Sequence, residues 1–238
     1  MTERETERIL MAHGGGGLLM HELIDRIAGR FGKAGPMQDS AILGIAGGRI
    51  AFTTDSYVVS PLFFPGGDIG RLAVCGTVND LAVCGARPRW ISLAMIVEEG
   101  IGIDVLDRVA ASVEAAAREA EVQVVTGDTK VVEKGKADGL FINTAGIGEV
   151  PPGVDVSTAN ARPGDAVIVS GTIGDHGLAL LSVREGIGFG GDIESDTAPL
   201  STLVTPLLDR LPGGIRAMRD ATRGGLAAVL NEIAADSN

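Results

Sequence analysis

Residues 53–85 read TTDSYVVSPLFFPGGDIGRLAVCGTVNDLAVCG. The β-rich run from Arg49 to Thr54 predicts a strand that delivers Asp55 at its end. Pro61, Pro65, Gly66 and Gly67 predict a loop, and Asp68 then stands where a helix N-cap belongs. The apolar run behind it predicts a helix carrying Asn79 and Asp80 late in its length. Aspartate is rarely fully buried unless it is paired or holds a metal. Carboxylates at a strand end and on a helix, each flanked by apolar chain, therefore predict half of a phosphate–Mg²⁺ site.

Upstream, Asp39 precedes an apolar strand, and Gly47-Gly48 turns into the next one, so a β-hairpin should carry Asp39 and Asp55. Downstream, Trp90 to Val97 predicts a buried strand, and Asp104 an N-cap for a helix with Val105, Leu106, Val109 and Val113 on its core side. Val122 to Val125 predicts a strand that releases Asp128, Thr129 and Lys130 at its end, and Leu140 to Gly148 a further strand. The order β-β-α-β-α-β-β predicts an α+β layer, a mixed β-sheet with helices on one face.

Pro151, Pro152 and Gly153 suggest a boundary. The chain then divides into a flexible arm (1–12), a first domain (13–153) and a partial C-terminal α/β domain (154–238). In the latter, short strands are expected at Ala166 to Ser170 and Ile215 to Met218, and helices at Leu178 to Arg184, Pro199 to Leu211 and after Thr222 to about Ala235. The run Gly186 to Gly191 matches G-x-G-x-x-G but follows a helix and opens no βαβ unit, so it is not a dinucleotide fingerprint. Glycines Gly14, Gly15, Gly16 and Gly17 can lay backbone N–H groups around phosphate oxygens, although no Walker A ending follows them.

With 238 residues and 45% apolar content the chain can bury a substantial core, built mainly of Val, Ile, Leu and Ala because aromatics are scarce. A formal net charge of −11 disfavours nucleic acid and anionic membrane as partners. An anionic substrate stays compatible, since Mg²⁺ reverses the local sign. Cys75 and Cys84 lie nine positions apart and predict small buried side chains rather than a disulfide or shared metal. No signal peptide and no membrane-spanning run stands out, so a cytoplasmic protein is expected. Asp39, Asp55, Asp80 and Asp128, with Lys130 and a glycine loop, suit ATP-dependent phosphoryl transfer.

Several segments together resemble one family: QDSA at 38–41, TDSYVV at 54–59, PLFFPGGDIG at 61–70, TVNDLA at 77–82, VTGDTKVV at 125–132, FINTAG at 141–146, GDHG at 174–177 and RDATRGG at 219–225. In this order they look like the HypE family of [NiFe]-hydrogenase maturation factors, in the aminoimidazole-ribonucleotide-synthetase-like ATPase superfamily. The resemblance implies a homodimer whose N-terminal sheets pair across a two-fold axis and hold ATP and Mg²⁺ at the interface. It implies a carbamoyl group delivered by HypF to a C-terminal cysteine thiol, ATP-driven dehydration to a thiocyanate, and cyanide transfer to iron held by HypC and HypD. By position it makes Asp39, Asp55, Asp80 and Asp128 metal and phosphate residues, with Asn79, Thr129 and Lys130 flanking the phosphates and Lys130 able to polarise the amide. Gly14 to Gly17 would fold over the nucleotide, while His176, Asp220, Thr222 and Arg223 would come from the second domain.

The family's terminal Pro-Arg-x-Cys tail has no match in these residues, so the chain as it stands is expected to dimerise but not to turn over. The rivals are another ATPase of the superfamily, of selenophosphate synthetase, thiamine-monophosphate kinase or purine-enzyme type, and a non-catalytic maturation scaffold. The glycine loop carries no reactive Cys, which counts against a selenophosphate synthetase, and the purine and thiamine enzymes lack the wording of residues 54–67. Three histidines and two spread cysteines count against a soft-metal scaffold.

Overall fold

The expected hairpin forms: β1 (Ala41–Ile45) pairs antiparallel with β2 (Gly48–Tyr57), turning through Gly47 at φ +93°. The computed structural model describes residues 9–15, 17–31, 38–188 and 192–237; Gly16, most of the arm and the end of the Gly186 to Gly191 run lie outside them. A two-residue pair, β3 (Phe63–Phe64) and β4 (Gly67–Asp68), leads into α2 (Ile69–Val83). Asp68 caps that helix as expected, its Oδ1 accepting from the N–H groups of Gly70 (2.7 Å) and Arg71 (3.1 Å). Its Oδ2 accepts from Ser112 Oγ at 2.5 Å, which ties the cap to the next helix.

There follow β5 (Arg87–Glu98), α3 (Ile103–Glu119), β6 (Gln123–Val132) and β7 (Leu140–Val150). The sheet runs β1-β2-β7-β5-β6 and is mixed, with only β5 and β6 parallel. Parallel neighbours need a crossover, and α3 supplies it. Alternation decides which face meets the helices: Ala51, Thr53 and Tyr57 on β2, and Leu140, Ile142 and Thr144 on β7, are buried beneath α2 and α3. Helix α2 is apolar around most of its circumference because it touches the sheet, α3 and a later helix. Ile69, Leu81, Ile91, Leu140 and Ile142 are fully buried, and each such side chain contributes about 2 kcal/mol. On the opposite face no described residue forms a covering layer, and Phe52, Trp90 and Ile96 remain about 40% exposed.

Several local expectations are corrected. Neither Asp55 nor Asp128 ends its strand: β2 continues to Tyr57 because β7 reaches far enough to pair Tyr57 with Ile142, and β6 continues to Val132 opposite Glu98. The N-cap of α3 is Gly102, and Asp104 sits in the first turn, where the helix dipole still favours a carboxylate.

Beyond Val150 the described residues add helices and no strand: a 3-10 turn at Thr158–Asn160, α4 (Asp175–Glu185), α5 (Ser201–Arg210) and α6 (Gly225–Ser237). Residues 166–170 and 215–218, expected as short strands, join no ladder, and Val167 and Ile168 are 70% and 86% exposed. An apolar run becomes a strand only where a neighbouring strand takes its N–H and C=O groups, and no described segment does so here.

Candidate functional site

Three carboxylates from distant parts of the chain meet. Asp39 stands just before β1, Asp80 in the last turn of α2, and Asp220 on the segment entering α6. One oxygen of each lies within 4.8 Å of the others. Thr53, on the helix-facing side of β2, stitches two of them together: its hydroxyl lies 2.8 Å from Asp80 Oδ2 and 2.9 Å from the Asp39 carbonyl. Ser40 Oγ donates to the Asp80 carbonyl at 2.9 Å. On the other flank Arg219 Nη1 lies 3.0 Å from Asp39 Oδ1, and its Nη2 2.5 Å from Glu232 Oε2 on α6. His21 of α1 (Leu18–Ala28) reaches Glu232 Oε1 at 3.3 Å, so the helix behind the glycine run is tied to the same group.

Burial, and then the negative charge of Asp220, push the Asp39 carboxyl up to about 7 and that of Asp80 up to about 8. Burial raises Asp220 to about 6, with the Asp55 charge adding to it against the pull of Arg219. Asp39 Oδ2 is buried and has no hydrogen-bond partner among the described residues. Crowded, proton-hungry carboxylates with an unpartnered oxygen fit a hard divalent cation, whose charge would replace the protons. Soft donors are absent from the trio. Cys75 and Cys84 are both buried, their thiols pushed up to about 12 and about 11 by desolvation, as the sequence had led us to expect of small buried side chains.

The linkage has a definite sign. A carboxyl that titrates higher folded than unfolded (about 3.9) makes the folded state bind more protons, so stability falls as pH rises from about 4 to about 8. In thermal melts the cation-free chain should therefore unfold at lower temperature at about pH 8.5 than at about pH 5.5, and excess Mg²⁺ should close the gap. Equal melting temperatures at both pH values without cation would contradict this electrostatic description.

The remaining candidates divide. Asp55 shares the helix-facing side of β2 and its charge is felt by Asp80 and Asp220, but its own Oδ1 accepts from Ser56 N–H at 2.8 Å and it stands outside the trio. Asp128 does not join it either. Across the sheet Asp55 aligns with Thr144, Thr144 with Leu93 and Leu93 with Gly127. Three interstrand spacings put Asp128 about 14 Å away. Because Gly127 shares the helix side with Leu93, Asp128 and Lys130 face the uncovered side, while Thr129, opposite Met95, faces the helix side; all three are exposed.

Asn79 is engaged elsewhere: its Nδ2 donates to the Ala198 carbonyl (3.1 Å) and its Oδ1 accepts from Leu200 N–H (2.7 Å). It thereby anchors a strap, residues 194–200, that also gives Ser195 N–H to Pro65 and receives Arg71 Nε at Thr197. His176, in α4, braces this strap as well, with its Nδ1 2.9 Å from Ser195 Oγ and its ring edge-on to Phe64; burial lowers its pKa. Thr222 and Arg223 are exposed at the start of α6, where Gly224 and Gly225 have φ +79° and +60°. Gly14, Gly15 and Gly17 lie before α1, and a Cβ at Gly14 or Gly17 would meet nothing within 4 Å. Arg219, Glu232 and Thr53 escaped the sequence reading. Thr53, two residues from Asp55 on a strand, was the one with a usable signal, since it shares that residue's face.

Family models match the chain twice: the AIR synthase related protein N-terminal domain over residues 37–150 and the C-terminal domain over 162–238. A carbamoyl dehydratase HypE of Rhizobium leguminosarum bv. viciae is 54% identical over 235 residues, which is 97% of this chain and 67% of that protein. A crystal structure of a HypE–HypF complex superposes with TM-score 0.86 at 49% identity, covering 93% of this chain and 71% of its counterpart. A HypE crystallised in complex with ATP superposes with TM-score 0.77 at 48% identity, covering 97% and 69%.

Proposed function

This chain belongs to the HypE family of AIR synthase related proteins, and from that premise we propose that it is an ATP-dependent carbamoyl dehydratase of [NiFe]-hydrogenase maturation. The observation that carries the reading is the convergence of Asp39, Asp80 and Asp220, with Asp39 Oδ2 unpartnered, beside the N-terminus of α6. In this reading the three carboxylates hold Mg²⁺, with Asp55 next to them. Bound there, the cation offsets charge on the nucleotide phosphates. The start of α6 supplies backbone N–H groups, with Thr222 and Arg223 alongside, and a helix N-terminus attracts phosphate. Gly14, Gly15 and Gly17 close over the nucleotide from the α1 side in this reading, and His21 anchors that helix to Glu232.

The reaction turns R–S–C(O)NH₂ and ATP into R–S–C≡N, ADP and inorganic phosphate. The amide oxygen takes the γ-phosphoryl group and leaves as phosphate, and the nitrogen gives up both its protons. Hydroxide is a poor leaving group and phosphate a good one, which is why ATP is required. Lys130 polarises the amide in this scheme, with Asp128 beside it on the same face of β6. Neither Cys75 nor Cys84, buried in α2 and at its end, can present the thiol, so the S-carboxamide arrives on another segment. We place His176 and Asn79 outside the chemistry, as anchors of the 194–200 strap.

Because Lys130 faces the uncovered side of the sheet, the complete site needs a second copy covering Phe52, Trp90 and Ile96. We assign HypF as the carbamoyl donor and a HypC–HypD complex as the cyanide acceptor, and place the reaction in the cytoplasm, where ATP is available. Among the described residues no helix is long and apolar enough to cross a membrane. The test is a peptide bearing an S-carboxamide cysteine, incubated with the chain, ATP and Mg²⁺. Mass spectrometry should show loss of one water from the peptide in step with ADP release; ATP consumption with an unaltered peptide would refute the reading.

A further inference from the structure

We infer that Arg219, held by Glu232, is a positioning residue that makes Asp39 a one-oxygen ligand and so sets the site's preference for a small divalent cation. The inference rests on the reading that the Asp39, Asp80 and Asp220 carboxylates hold a metal, and goes beyond it by naming what selects the metal.

The two oxygens of Asp39 differ. Oδ1 is engaged by Arg219 Nη1 at 3.0 Å, while Oδ2 is buried and has no hydrogen-bond partner among the described residues. Oδ1 already accepts from Arg219, which leaves Oδ2 as the oxygen with its acceptor capacity unspent and turns the carboxylate toward one-oxygen ligation. Arg219 is itself clamped: its second terminal nitrogen lies 2.5 Å from Glu232 Oε2, on α6. The Arg219 side chain is only 14% exposed, that of Asp39 11% and that of Glu232 24%. A planar guanidinium between two desolvated carboxylates has little orientational freedom, unlike a surface ion pair.

Denticity decides selectivity between the two common hard cations. Mg²⁺ demands near-octahedral geometry with short single-oxygen contacts, whereas Ca²⁺ accepts more ligands and readily takes a carboxylate bidentate. Groups that orient metal ligands typically change affinity by about ten- to a hundredfold when removed. Losing Arg219 would release Oδ1 and let Asp39 chelate with both oxygens. That change favours the larger ion specifically. Simple loss of a positive charge would instead strengthen both ions alike.

The experiment is calorimetric titration of Mg²⁺ and of Ca²⁺ into the unaltered chain, Arg219→Met and Glu232→Gln, with near-UV circular dichroism to confirm folding. The Mg²⁺-to-Ca²⁺ affinity ratio should move toward Ca²⁺ by about tenfold in Arg219→Met, and by a smaller factor in the same direction in Glu232→Gln. Should Arg219→Met fail to fold, Glu232→Gln, whose side chain keeps its size, decides alone. An unchanged ratio in the folded variants, with the unaltered chain binding Mg²⁺, would overturn the inference and leave the metal reading standing. No binding by the unaltered chain would remove both.

Discussion

Asp80→Asn should leave the chain folded, at least as stable as the parent at about pH 8, and without Mg²⁺-dependent ATP binding. The two halves of this expectation have one cause. Burial and the neighbouring charge of Asp220 push the Asp80 carboxyl up to about 8, so the cation-free fold already favours its neutral form. Asparagine is a neutral side chain of nearly the same shape, and its amide oxygen can still accept from Thr53, which lies 2.8 Å from Asp80 Oδ2. The variant thus removes electrostatic strain and removes a ligand at once. Even outer-shell changes cost about ten- to a hundredfold in metal affinity, so losing a direct carboxylate should weaken ATP binding in Mg²⁺ by at least about a hundredfold. Calorimetry with ATP in Mg²⁺ and in chelator, next to a thermal melt, separates this from misfolding. A lowered melting temperature with intact Mg²⁺-dependent binding would reverse both halves.

Mixing two inactive variants, Asp80→Asn and Lys130→Ala, should restore activity. Within one chain Lys130 cannot serve the carboxylate trio: it lies on β6, three strands from β2, and faces the uncovered side of the sheet. If the site is completed across a two-fold axis, each composite site draws its carboxylates from one copy and Lys130 from the other. Subunit exchange then yields half mixed dimers, each with one site intact and the other doubly damaged, so recovery should reach about a quarter of the unmixed parent. The readout is thiocyanate formed on the S-carboxamide peptide after the two proteins are co-refolded. Recovery absent while sedimentation shows dimers would place both residues in the same copy's site, and sedimentation as monomers would remove the shared site altogether.

What was legible in the sequence was local. The Gly47 turn, the Asp68 cap and the buried run from Ile69 to Val83 depend on residues next to one another, and each formed as expected. Strand ends were not legible, because the reach of β2 and β6 is set by β7 and β5, partners far along the chain. The same dependence undid the strands expected at 166–170 and 215–218, where hydrophobicity was present and no partner strand stood among the described residues. For the site, Asp39 and Asp80 were recognisable as carboxylates embedded in apolar chain, and they do meet. Asp128 carried the same signal, but the alternation of β6 turned it to the other face of the sheet. Asp220 was expected beside nucleotide, and its place in the trio with Asp39 and Asp80 was not foreseen. Arg219 was invisible as an orienting group, since its role exists only once residues 39, 219 and 232 are brought together.

The most direct measurement is an anomalous difference map from crystals grown with Mn²⁺ and a non-hydrolysable ATP analogue. One peak about 2.1 Å from an oxygen of each of Asp39, Asp80 and Asp220, with a phosphate oxygen in its shell, is the expected result. A metal bound to the analogue at a place that none of these three carboxylates touches would contradict the account.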